Sequence, residues 1–330
     1  MKELLHRYLW QSLPRSWRRA ALFNAASIMS PRVSEGAKPA DPLIVAGTLR
    51  TASGLGESAR LCHNALEKAG VAVYGIDLSE ALMQPRDYHP FSFHDGRDVE
   101  GRGTLIVHVN SPLVPLALWH LGRRFLRDKY VVGCWAWELP EVPADWRHGI
   151  PFVHEIWVPS RFTADAVRPI AEGRPVHVMP YAVAANGRSQ PVDARVSQRP
   201  FTVLTIFNTA SSIARKNPSA AIAAFRRAFG DDPTVRLIVK TANGETYSEG
   251  LEPIRTAAEA PNIVLIDRVM DEVELDRLYY QADVRTVSSS IGRLRFDNRR
   301  GDDPRNSRGC DQMVRQCGLR HRRERSSGAV

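Results

Sequence analysis

Several short stretches of the chain bring together residue types that suit chemistry. The first runs from Gly47 to Arg60 and reads G-T-L-R-T-A-S-G-L-G-E-S-A-R, where an apolar run gives way to an amphipathic one. Glycines such as Gly54 and Gly56 let the backbone come close to a ligand, and the N–H groups that open a helix favour an anion. Gly54, Gly56 and Ala59 also fit the dinucleotide pattern G-x-G-x-x-A, with Asp77 spaced to bind a ribose. That keeps a nicotinamide-dependent (NAD(P)) oxidoreductase open as an alternative. Against it, the fingerprint should begin where the strand ends, whereas Gly54 comes seven residues after Gly47. A turn of purely structural purpose is a third reading.

The second stretch is Arg215-Lys216-Asn217-Pro218. Two cations beside a helix that opens on a proline suit a diphosphate, although a solvated basic turn has the same composition. Lys240 closes an apolar run and could face the same ligand or lie in solvent. His108, in V-H-V-N-S-P, sits where a strand runs out into a loop, the usual place for a site residue in an open α/β sheet. A histidine satisfied within the structure is the plainer alternative. Cys134-Trp135-Ala136-Trp137-Glu138-Leu139-Pro140 sets two indoles beside a carboxylate, which suits sugar stacking and core packing alike.

These residues need a scaffold, and the apolar pattern supplies one. From Leu43 onward short apolar runs alternate with amphipathic stretches, as a parallel α/β fold requires when each strand is covered by a helix on the way to the next. The expected strands are 43–46, 71–74, 105–109, 130–133, 156–158 and 177–179, with helices at 57–69, 113–125 and 161–167. A second series follows: strands 202–207, 235–240 and 263–266, and helices 218–229, 247–258 and 271–282. The predicted organisation is a lead-in at 1–42, a Rossmann-like domain at 43–181 and a linker at 182–200. A partial second domain follows at 201–284, then a tail at 285–330. Periodicity disappears beyond Ala282. Two α/β domains in tandem would place a ligand where the carboxyl ends of their strands meet.

Charge and composition exclude several classes. The formal charge of the 330 residues is +9, which invites a nucleic-acid reading. Residues 285–330, however, hold 12 Arg, no Lys and 5 acidic residues, leaving only +2 for the rest. A specific nucleic-acid partner is therefore not expected, and a non-enzymatic binding protein acting through its basic tail stays as a minor alternative. Four cysteines, Cys62, Cys134, Cys310 and Cys317, are too few and irregular for a secreted disulfide framework and favour a reducing, cytoplasmic setting. Cys310, Cys317 and His321 fit no familiar zinc spacing. No apolar run reaches the length of a membrane span, and no signal-peptide pattern opens the sequence. Leu4, Leu5, Tyr8, Leu9, Leu13 and Trp17 recur near helical spacing among arginines. Residues 1–30 are accordingly expected either to pack on the body as a helix or to touch the cytoplasmic face of a membrane.

Taken together, several of these stretches resemble the retaining, GT-B-fold glycosyltransferases of the glycogen-synthase-like group (glycosyl transferases group 1, family 4). They are Ser53 to Arg60, His108-Val109-Asn110, Trp135 to Pro140, Ile156-Trp157-Val158-Pro159-Ser160, Pro180-Tyr181-Ala182-Val183 and Arg215 to Pro218. The resemblance covers residues 43–284. It implies an α/β fold of two Rossmann-like domains with mostly parallel sheets facing across a cleft. The implied activity is transfer of a hexose from a nucleoside-diphosphate sugar to a glycan or lipid-linked acceptor, with retention, without metal and without a tightly bound cofactor. Arg215 and Lys216 would neutralise the leaving diphosphate, Gly54 and Gly56 would border the cleft, and His108 would touch the transferred sugar.

The family then requires a strand after Asp283 and a segment E-G-F-G-L-x-x-x-E-A-M, whose two glutamates hold the donor. The chain instead reads Gly292-Arg293-Leu294-Arg295-Phe296-Asp297-Asn298-Arg299-Arg300-Gly301-Asp302-Asp303. Joining the last two bases of each codon to the first of the next restores EGFGLTIAEAM: GGA-AGG yields GAA for Glu, AGG-CTT yields GGC for Gly. The middle base of each shifted codon is free, so one match means little. A consecutive run of eleven means much more. The Arg-rich tail is therefore expected to be a frameshifted, disordered remnant of the donor site, and the chain as written an inactive or impaired enzyme.

Overall fold

The computed structural model of this protein describes residues 14–84, 90–182, 199–209, 213–242, 244–245 and 248–286. The chain divides into two compact units; among the described residues, one holds 14–182 and the other 199–286. Residues 287–330, which carry the shifted reading, and most of the expected linker lie outside the described residues.

The first unit is built on β1 (Leu43–Gly47), β2 (Val73–Asp77), β3 (Gly103–His108), β4 (Lys129–Cys134), β5 (Glu155–Val158) and β6 (Val176–Val178). All pair in parallel, in the order β2-β1-β3-β4-β5-β6. β1 reads L-I-V-A-G with every residue buried, as a central parallel strand needs when both its faces are covered. One face packs Leu43, Val45, Ile106 and Val132 under α2 (Gly54–Lys68), which contributes Ala59, Cys62 and Leu66 at helical spacing. The other face packs Ile44, Ala46, Leu105 and Val107 against α3 (Val114–Leu121) and the 3-10 segment Ala144–Phe152. Each fully buried aliphatic side chain stabilises the fold by about 1.5–3 kcal/mol. α1 (Arg15–Met29) joins this unit, burying Phe23 and Ala26, and the Ser30 hydroxyl donates to the Pro115 carbonyl.

Two local departures from the periodic pattern have plain causes. The expected helix over 113–125 is broken into α3 and a short α4 (Arg123–Leu126) by Gly122, whose φ of 83° only glycine takes readily. The expected strand at 71–74 begins at Val73 instead, because Val71 still belongs to the end of α2. Its N–H bonds to the Leu66 carbonyl and that of Gly70 to Glu67, a Schellman closure with Gly70 at φ 74°. The helix expected at 161–167 is α5 (Arg161–Val167), started by Ser160, whose Oγ accepts from the Thr163 N–H at 3.2 Å.

The second unit holds β7 (Phe201–Ile206), α6 (Ile213–Lys216), α7 (Pro218–Phe229) and β8 (Val235–Thr241). It continues through α8 (Ser248–Ala257), β9 (Ile263–Asp267), α9 (Glu272–Gln281) and β10 (Val284–Thr286). The four strands are parallel in the order β10-β7-β8-β9. That order is the 4-1-2-3 portion of a doubly wound sheet. α7 and α8 cover one face through Ile222, Phe225, Leu251 and Ile254. On the other, buried Leu204 and Ile238 meet Leu278 and Ala282, at the end of α9. Arg199 forks onto Asp283 at 2.6 and 2.7 Å, and Asp283 also accepts from the Thr202 N–H, so the starts of β7 and β10 are clamped together. β10 is the strand that the family resemblance required after Asp283, at a point where apolar periodicity had already vanished.

Candidate functional site

In the first sheet β1 has β2 on one side and β3 on the other, so the connections leave in opposite directions at that point. A crevice opens at the carboxyl ends of such strands. Gly47 and His108, which end β1 and β3, are register partners there. The loop after Gly47 is built around Arg60, a buried guanidinium. It donates to the Leu49 carbonyl at 2.9 Å, the Thr51 carbonyl at 3.1 Å and the Glu57 carboxylate at 2.7 Å. Bonds to a charged donor of this kind contribute about 1.5–3 kcal/mol each. Ser53 caps α2, its Oγ accepting from the Gly56 N–H at 3.1 Å, which sets the helix N-terminus at the crevice.

The two candidate glycines serve different ends. A methyl group on Gly56 would stand 2.5 Å from the Thr48 carbonyl oxygen and 2.6 Å from that of Thr51, so Gly56 is what lets the loop fold back on the helix. At Gly54 a methyl group would meet nothing within 4 Å. Asp77, the ribose carboxylate of the dinucleotide alternative, already uses Oδ1 to accept from the Arg50 N–H at 3.1 Å and the Ser79 hydroxyl at 2.7 Å. One oxygen of the carboxylate thus holds the loop.

His108 is 3% exposed and faces α2, where Nδ1 lies 3.1 Å from Ser58 Oγ. Burial pushes its pKa down to about 3, so the ring is neutral at any ordinary pH. Nε2 is buried and has no hydrogen-bond partner among the described residues. The ring borders a small recess at the carboxyl ends of β3 to β6. Ser58, Cys62, Trp157, Met179 and Tyr181 line it as well. Burial, and then the nearby Cys134, raise the Tyr181 phenol above its usual range, so its hydroxyl keeps its proton.

The tryptophan segment divides between packing and positioning. Trp135 is 1% exposed and meets Trp146 edge to face at 5.7 Å; Trp137 packs on Trp146 at 5.1 Å. Packing therefore explains both indoles. The segment is nonetheless tied to the site: Asn110 Oδ1 accepts from the Ala136 N–H at 2.9 Å, and the Thr163 hydroxyl donates to the Trp137 carbonyl at 3.1 Å.

In the second unit the switch point falls at β7, between β8 and β10. Arg215 and Lys216 close the short turn of α6, immediately before Asn217. Asn217 takes a left-handed conformation, φ 43°, and caps α7 by accepting from the Ala220 N–H, with Pro218 in the first turn as the sequence implied. Lys240 is placed otherwise than the sequence reading had it. It is 5% exposed and donates to the Thr241 and Arg268 carbonyls, a tie between the ends of β8 and β9 rather than a solvated cation. Burial, with the Arg268 charge adding to it, pushes its pKa down to about 8. Among the described residues no group of three His, Cys, Asp or Glu side chains could hold a metal ion, and no helix is long and apolar enough to cross a membrane.

Sequence reasoning did not find Ser58 or Arg60 as functional parts. Both sit in the glycine-rich stretch, but what they do depends on His108, 50 residues from Ser58, and on the carbonyls of a loop whose shape the sequence does not display.

Two parallel sheets of these orders, with their switch points, are the α/β architecture of the GT-B fold. No family model and no curated protein matches the chain. Among solved structures it is similar to ligand-free OtsA, with a TM-score of 0.50 at 11% identity over 76% of this chain and 78% of that one. A UDP-forming alpha,alpha-trehalose-phosphate synthase from Burkholderia xenovorans, in complex with glucose-6-phosphate, aligns at TM-score 0.49 and 12% identity over 76% and 79%. UDP-GlcNAc 2-epimerase from Methanocaldococcus jannaschii, in complex with UDP-GlcNAc and UDP, aligns at 0.41 and 13% over 74% and 77%. At these identities the likeness is one of fold.

Proposed function

We propose that the chain is a GT-B hexosyltransferase that takes a nucleoside-diphosphate sugar as donor and a glycan or lipid-linked acceptor, with retention, and that its donor half is incomplete as written. The observation that carries the reading is the switch point of the first unit, where the His108 ring borders a small recess and its Nε2 is buried without a hydrogen-bond partner among the described residues. A neutral imidazole nitrogen among apolar walls suits a sugar hydroxyl and is of little use to an anion. The fold likeness to OtsA is consistent with this. The motifs from Ser53 to Pro218 point the same way.

In a retaining transfer of this class the leaving diphosphate helps to deprotonate the acceptor on the same face of the sugar, so positioning and charge stabilisation do most of the work. The residues for those tasks are His108 and the N-terminus of α2 in one unit, and Arg215 with Lys216 in the other. β10 ends at Thr286, and the shifted reading supplies the donor glutamates from Gly292 onward. In the reading frame as written those carboxylates are missing. We place the protein in the cytoplasm. Trp17 and Ile28 of α1, 68% and 84% exposed, support peripheral membrane contact through residues 1–30, which co-sedimentation with anionic vesicles tests.

The deciding experiment compares two proteins: the 330-residue chain and one with the frame restored after the codon for Arg285, each offered a panel of UDP-, GDP- and ADP-hexoses. Turnover by the restored protein alone is the expected outcome. Equal turnover by the unrestored chain would end the claim of impairment, and turnover by neither would end the transferase reading. Resequencing the genomic DNA around that codon says which protein the organism makes.

A further inference from the structure

The hydrogen count around Ser58 fixes more than the pairing itself. A serine hydroxyl has one proton to give. Ser58 Oγ lies 2.8 Å from the Leu55 carbonyl oxygen, one turn back on α2, and a carbonyl can only accept, so the proton goes there. The remaining contact, 3.1 Å to His108 Nδ1, must then be donated by the ring. Were the serine proton turned to the ring instead, two oxygen lone pairs would face each other at 2.8 Å inside the fold, at the shorter of the two contacts. A neutral imidazole carries one N–H; with Nδ1 protonated, Nε2 is bare.

We propose that Ser58 is a positioning residue that holds His108 as the Nδ1–H tautomer, so that Nε2, on a ring that borders the recess, is left as a fixed acceptor for a ligand hydroxyl. The identity of the ligand rests on the transferase reading; the tautomer does not. The device is one-directional. Ser58 sits one turn into α2, whose N-terminus is held by Ser53, and its oxygen accepts in one direction because its proton is committed in another. A site set this way accepts a hydroxyl or amide N–H and discriminates against a carbonyl or ether oxygen at the same place, because two acceptors would meet there without a proton.

The test reads the ring directly. With nitrogen-15 in the ten histidines of the full chain, long-range proton–nitrogen correlation spectra report which ring nitrogen is protonated, and a His108→Gln variant assigns the signal. The wild-type protein is expected to show protonated Nδ1 and bare Nε2 from neutral pH down to pH 5. Ser58→Ala removes the acceptor of the Nδ1 proton and is expected to shift the ring to a mixture of tautomers. Ser58→Thr keeps a hydroxyl at the same place and is expected to restore the single form. Thermal melts of the variants separate loss of fold from loss of tautomer. A protonated Nε2 in the wild type overturns the proposal, as does a folded Ser58→Ala protein with an unchanged spectrum. A titration of the frame-restored protein with the same UDP-, GDP- and ADP-hexoses tests the other reading separately: a fixed tautomer that none of them perturbs leaves Ser58 in its role and removes the transferase.

Discussion

The two units differ less in plan than in completeness. In the first, six strands are covered on both faces, and the carboxyl ends at the switch point meet a built loop, a capped helix and a histidine held from behind. In the second, four strands are well covered on one face, while on the other the buried residues are Leu204, Ile238, Leu278 and Ala282. Among the described residues β10 stands at the edge, with Val284 43% exposed. The difference teaches that a switch point needs both neighbours. β1 has a full strand on either side; β7 has β8 on one side and, on the other, β10, which holds three residues among those described.

The comparison breaks most visibly under frame restoration. Supplying the donor carboxylates is expected to raise sugar-nucleotide turnover by about 10²–10³-fold or more, the usual effect of one charge-stabilising contact in a transition state. The same change should also alter stability. In calorimetry the 330-residue chain is expected to show a lower transition from the second unit and a higher one from the first. Restoration should lift the lower one by about 4–8 °C for each kcal/mol of new packing. A single transition at one temperature for both proteins would contradict the contrast.

Smaller changes sharpen it within the first unit. Gly56→Ala forces a methyl group against the Thr48 and Thr51 carbonyls and is expected to cost about 1–3 kcal/mol in urea unfolding. Gly54→Ala meets open space and should stay within about 0.5 kcal/mol of wild type. Equal costs at the two positions would mean that the loop does not fold onto the helix as described.

A further pair of effects is in pH dependence, and they fall at opposite ends of the scale. His108 has a folded pKa of about 3, below its unfolded 6.5. It therefore contributes stability above pH 6.5 that is lost as the pH falls toward 3. Lys240, folded about 8 and unfolded 10.5, contributes stability above pH 10.5 that is lost as the pH falls toward 8. Unfolding free energies measured against pH should flatten in the acid window for His108→Gln and in the alkaline window for Lys240→Met, each relative to wild type. A variant whose curve parallels the wild type through its own window would refute that assignment.

Much of this architecture is legible in the sequence because parallel strands covered on both faces need an apolar centre, as β1 has throughout and β4 and β8 have at Val131-Val132 and Leu237-Ile238-Val239. α5 and α7 keep the limits their residues imply, since Ser160 and Asn217 state where each begins. What was not legible depends on atoms brought together from afar. β10 carries no apolar pattern, only V-R-T, and exists because Asp283 is gripped by Arg199. Lys240 looks like a cation awaiting a ligand until the carbonyls of Thr241 and Arg268 are seen around it. The glycines drew attention to the right stretch, but the residues that shape the site within it are Ser58 and Arg60.

Gly47 adds a last consequence. A methyl group there would lie 3.0 Å from Ala59 Cβ and 3.1 Å from His108 Cβ, so β1, β3 and α2 converge on the space where that side chain would be. The missing carbon acts as a gauge. It sets how closely the helix that bears Ser58 can approach the strand that bears His108, and any larger residue would wedge the two apart. The length of the Ser58–His108 hydrogen bond is thus determined by an atom that neither partner owns.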